Sequence, residues 1–160
     1  MANYRIKRCN FYTKAANRKH GPFGALLYDW MNVTPLTNLA GFLDTTPEVM
    51  AFESMVPIEE VNRLIPEFIK DGRIMQNGTL IWIVEFAEDQ WPNIPAPTTI
   101  KGIQKDLMQI GLDNPLVRAF DLRYGPRWGS AWPEGLIIHP EKIKGWTQPS
   151  HPKKGPPKHE

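Results

Sequence analysis

The sequence predicts a single α+β domain, a small mixed or antiparallel sheet with several short helices packed on it. Three observations predict it. Thr79 to Phe86 is the most apolar and most β-favouring run in the chain. Val61, Leu64, Ile65, Phe68 and Ile69 recur at the spacing of one helix face. Sixteen prolines in 160 residues, against a usual share of about 5%, keep the individual elements short.

Alternation along the strand sends Leu80, Trp82, Val84 and Phe86 to one face and Thr79, Ile81, Ile83 and Glu85 to the other. Both faces are mostly apolar, the pattern of a central strand covered on two sides. Asn77-Gly78 just before it suits a type I′ hairpin turn, so Arg73 to Gln76 is expected to pair with it antiparallel.

From the N-terminus, residues 3–12 alternate loosely and read as a basic edge strand. Asn17 to Pro22 reads as a turn, and Phe23 to Trp30 as strand or helix, with periodicity undecided. Thr34-Pro35, Thr46-Pro47 and Val56-Pro57 are three helix starts, because proline suits a first turn whose N–H groups lack partners and threonine can cap the others. Pro66 should kink or divide the third helix. Beyond the strand, Pro92, Pro95 and Pro97 form a stiff connector; Thr98 or Thr99 caps a helix carrying Ile100, Ile103, Leu107 and Ile110, which Gly111 ends. Residues 116–124 fit either helix or strand. Gly125 to Gly135 reads as a loop, Leu136 to Ile138 as a short strand, and Pro140 to Lys144 as a helical turn. The domain is bounded at residue 147, and 148–160, rich in Pro and Lys, is expected to be an extended tail.

A chain of this length can bury roughly 70% of its unfolded surface, enough for a core without metal or disulfide staples. Cys9 is the one cysteine and cannot form an internal disulfide, which points to a reducing compartment, the cytoplasm or a particle assembled there. Residues 1–12 mix charges with aromatics rather than forming a signal-like apolar stretch, and no run approaches the length of a membrane span. The net charge of +2 conceals a segregation: residues 1–20 carry +6, residues 21–115 carry −8 and residues 116–160 carry +4. Basic ends around an acidic middle imply either a composite basic surface or ends that pair with the middle of the same or another subunit.

Two constellations are candidate binding surfaces. Arg123, Tyr124, Arg127, Trp128 and Trp132 crowd the predicted loop, and these residue types dominate binding hot spots and also stack on bases. The alternative is that Trp128 and Trp132 fold back and cover the sheet, since tryptophans are highly buried on average. Arg5, Lys7, Arg8, Lys14, Arg18 and Lys19 interleave with aromatics as a nucleic-acid surface would, or as a basic arm against acidic protein. Lys153, Lys154 and Lys158 add nonspecific attraction for phosphate. A helix-turn-helix can be drawn through residues 99–124, but Arg118 and Arg123 would lie about 140° apart on the second helix and would not face one groove together.

For chemistry, Glu85, Glu88 and Asp89 at the strand exit, with His139, are the residues that would serve acid/base work in a small hydrolase or nuclease-like enzyme. No metal-ligand spacing, phosphate loop, dinucleotide fingerprint or nucleophile elbow accompanies them, so no cofactor or metal is expected. Nothing in the sequence activates Cys9. The favoured reading is a non-enzymatic binding or assembly protein, engaging a protein partner, a further copy of itself or nucleic acid. A small accessory protein of a phage or virus would have this composition.

Overall fold

The computed structural model describes residues 11–132. They form one α+β domain in which seven helices surround a three-stranded antiparallel sheet. A 3-10 turn, Phe11–Thr13, and α1, Ala15–Arg18, lead into α2, Gly21–Val33. β1 is Phe42–Asp44, α3 Pro47–Ser54 and α4 Ile58–Lys70; β2, Ile74–Asn77, turns directly into β3, Leu80–Ile83. α5 is Phe86–Gln90, α6 Pro97–Ile110 and α7 Pro115–Trp128, followed by a 3-10 turn, Gly129–Ala131.

β3 lies in the middle, with sheet order β1-β3-β2 and Phe42 opposite Trp82 on one side and Met75 opposite Trp82 on the other. Its two faces divide the core. Leu80, Trp82 and Val84 join Phe42 against Ile100, Ile103 and Leu107 of α6 and Leu116, Phe120 and Tyr124 of α7. Ile81 and Ile83 join Leu43 and Ile74 against Leu27 and Met31 of α2, Met50 of α3, and Leu64 and Phe68 of α4. The expected alternation therefore holds from residue 80 to 84. It fails at Phe86, which belongs to the second cluster because the strand has ended and α5 has begun. Gly41 permits that turn of the chain: at φ +85 its backbone passes so close to Phe86 that an added Cβ would lie 2.6 Å from the Phe86 Cβ.

The hairpin forms, with its turn displaced by one residue. Asn77 pairs with Leu80, so the two turn residues are Gly78 and Thr79. Gly78 has φ +62 and Thr79 has no positive φ, which excludes type I′ and leaves glycine at the position where a type II′ turn needs it.

Other local expectations are decided by the structure, some of them corrected. Phe23 to Trp30 is helical, and α2 begins at Gly21 inside the expected turn. Thr34-Pro35 starts no helix; Thr34 is the C-cap of α2, its N–H donating to the Trp30 carbonyl at 2.8 Å. Thr46 caps α3 as expected, its hydroxyl accepting from Val49 N–H at 3.5 Å. Pro66 does not divide α4, because it sits on the exposed face where water can satisfy the Asn62 carbonyl it leaves unbonded. Ile69 is 42% exposed and outside the core stripe. α6 starts at Pro97 after Ala96, ahead of both threonines. The edge strand expected over 3–12 falls largely outside the described residues, as do the expected elements after residue 135 and the tail.

Candidate functional site

The segment read as a loop of binding residues is the C-terminal half of α7 and the turn beyond it. Phe120, Tyr124, Trp128 and Trp132 are spaced four apart and pack ring on ring in succession, with centroids 4.7, 4.9 and 5.4 Å apart, the middle pair stacked and the outer two tilted. Tyr124, Trp128 and Trp132 are buried and belong to the core layer on the Trp82 side of the sheet. The Tyr124 hydroxyl donates to the Val84 carbonyl at 2.7 Å, satisfying the backbone where β3 ends. Burial drives its pKa well up, so it acts here as a donor. The Trp132 indole N–H donates to Asp121 Oδ1 at 2.9 Å. The four-residue spacing was the signal for this aromatic column, and Gly125-Pro126 masked it. Pro126 lies in the last turn of α7 and Gly129 ends the helix at φ +49.

Arg123 and Arg127 emerge on the outer side of this column and converge on α5. Arg123 Nε donates to Glu88 Oε1 at 2.7 Å, its Nη2 contacts the same oxygen, and Arg127 Nη1 lies 2.8 Å from it. Burial pushes the Glu88 carboxyl up, but the hydrogen bonds and charges of Arg127 and Arg123 outweigh it and hold the group below its ordinary value. A carboxylate so engaged is a poor general base. A cleft of about 210 Å³ opens beside it, walled by Trp91, Ile94 and Trp128. Glu85 is exposed at the start of α5, and His139 lies outside the described residues.

At the other end, Lys14 and Arg18 are exposed, whereas Lys19 pairs with Asp71 Oδ1 at 2.7 Å. His20 Nε2 lies 2.6 Å from the other oxygen of Asp71. Arg73 lies 3.6 Å over the Tyr28 ring and donates to the Ala16 carbonyl at 3.0 Å, anchoring α1 to the start of β2. Arg5, Lys7 and Arg8 lie outside the described residues. α6 and α7 do form two successive helices, but both contribute to one core face.

Two surfaces escaped the sequence reading. The outer face of α2 carries Phe23, Leu26 and Val33, 42%, 37% and 42% exposed, with half-buried Trp30 between them. The only charge on this helix, Asp29, is buried. The outer face of α3 carries Val49 and Phe52, followed by Met55, the last two 84% and 81% exposed. The undecided periodicity of Phe23 to Trp30 concealed the first surface, and the absence of a marked apolar stripe concealed the second. Among the described residues no helix is long and apolar enough to cross a membrane, and no group of three His, Cys, Asp or Glu is placed to hold a metal. No protein-family model matches the chain, and neither does any curated protein or solved structure.

Proposed function

We propose that the chain is a non-enzymatic assembly protein whose principal contact is with a second copy of itself along α2. The supporting observation is the exposed stripe Phe23, Leu26, Trp30 and Val33. Its 3-4-3 spacing is that of the a and d positions of paired helices and confines the four side chains to an arc of about 80°. A helix that is apolar on both its core face and its outer face is one that packs on both. Self-pairing suits this face in particular. A two-fold contact sets each residue type against a copy of the same patch, and a face without charge incurs no like-charge repulsion there. The non-catalytic part of the reading rests on Glu88, whose carboxylate is committed to two guanidinium groups. Nucleic-acid binding has less support, since Lys19 is held by Asp71 and the middle of the chain is acidic.

Sedimentation velocity from low micromolar to near-millimolar concentration tests this. The wild-type chain should show concentration-dependent dimer, and Leu26→Lys, at a site already partly solvated, should be monomeric with the melting temperature that the wild type shows when diluted to monomer. A wild-type chain that stays monomeric throughout would overturn the proposal.

A further inference from the structure

We infer that the outer face of α3 is a second interaction surface, built to dock a cationic segment of another protein that carries an apolar anchor. This surface is separate from the α2 stripe and does not depend on self-association. On α3 the buried residues Met50 and Ser54 face the core, and Phe52 lies about 160° around the helix from Met50. Phe52 is thus centred on the solvent side, where it is 84% exposed. Val49 stands one turn before it, and Glu48 and Glu53 flank the pair at helical neighbour positions, both exposed. Met55, 81% exposed, closes the strip just past the helix.

Met55 adds an independent indication. It has φ +61, and no other non-glycine residue among those described has a positive φ. The position after a helix that takes this conformation is usually glycine. A methionine there keeps a long, adaptable side chain in solvent at the expense of backbone ease, and methionine and phenylalanine are suited to anchoring a bound segment.

The charge around the strip selects the occupant. Residues 41–62 hold five acidic residues and no Lys or Arg. Glu60 is matched internally by Arg63, at 2.6 Å. Among the described residues Asp44, Glu48, Glu53 and Glu59 have no ion-pair partner. α2, which packs on α3, supplies no cation. A neutral partner covering Phe52 and Val49 would strip water from Glu48 and Glu53 without replacing it, and a second copy of the same face would set glutamates against glutamates. Lysine or arginine side chains from a partner would match them, steer the encounter, and leave an apolar residue to cover Phe52 and Met55.

The test uses the full chain and a fluorescent amphipathic helix of lysine and leucine as the probe, read by anisotropy, with a glutamate–leucine helix as its counterpart. The lysine–leucine probe should bind and the counterpart should not. Phe52→Ser should weaken binding by more than about tenfold, and the paired Glu48→Gln and Glu53→Gln variant should weaken it and flatten its salt dependence. All these side chains are exposed, so melting temperatures should not move. Leu122→Ser, at a remote site on α7 that is 77% exposed, and Leu26→Lys on α2 should bind as the wild type does. The inference is overturned if Phe52→Ser binds like the wild type, if the paired glutamine variant keeps the full salt dependence, or if the two probes bind equally.

Discussion

Two carboxylates, Glu88 on α5 and Asp121 on α7, are pulled in opposite directions. Glu88 is raised by burial but more strongly lowered by Arg127 and Arg123. Its folded-state pKa lies below the unfolded value, so the stability it adds is present above the ordinary carboxylate range and is lost as pH falls through the lowered value. Asp121 is raised by burial, only partly offset by the Trp132 indole N–H. The folded protein holds that proton more tightly than the unfolded chain, so stability falls as pH rises through the window between the ordinary value and the raised one. Glu88→Gln should therefore be less stable than the wild type at neutral pH and converge with it at the acid end. Asp121→Asn, which keeps the oxygen that accepts from Trp132, should be more stable at neutral pH and converge likewise. Urea midpoints measured from acid to neutral pH check both, and shifts of the same sign would contradict the assignment.

Among the elements, α7 most changes the meaning of the residues it carries. Trp128→Ala should destabilise the fold by about 3–5 kcal/mol, the usual cost of deleting a buried aromatic. Arg127→Ala, which removes one half-exposed contact to a carboxylate that keeps Arg123, should cost about 0–1 kcal/mol. Thermal melts of the two variants decide it, and similar small losses would return Trp128 to the surface. The sequence carried enough to place β3, its hairpin, α4 and α6, because each repeats a period over several residues or ends on a defined turn. β1 was not legible: three residues make no pattern, and Phe42 to Asp44 is a strand only through its pairing with β3. The end of α7 was obscured by a Gly-Pro pair that the last helical turn tolerates. Thr34-Pro35 carried a cap signal without the apolar periodicity that would make a helix after it. The candidate surfaces were less legible than the fold. The type of a side chain does not say which way it faces: Trp128 and Trp132, read either as binding residues or as a cover for the sheet, are inside, while Phe52 and Met55 are outside.

At the scale of the molecule, the sheet is a partition shared by two apolar layers. Successive residues of β3 serve alternate sides, Leu80 and Trp82 one and Ile81 and Ile83 the other, so neither layer can lose its packing without exposing one face of the same four-residue strand. That predicts a single cooperative unfolding unit, and the distribution of tryptophan makes it measurable. Among the described residues, Trp82, Trp128 and Trp132 are in the layer of α6 and α7, with Trp91 packed against it, and half-buried Trp30 is the one tryptophan on the other side. Phe68, fully buried in the opposite layer on α4, is remote from those four indoles. Phe68→Ala should cost about 3–5 kcal/mol, and if the partition couples the layers, the denaturant midpoint read by tryptophan fluorescence should fall by the same amount as the midpoint read by helical circular dichroism. A fluorescence midpoint that stays at the wild-type value while the dichroism transition broadens into two would mean that the α6 and α7 layer stands without the other, and that β3 divides two units instead of joining them.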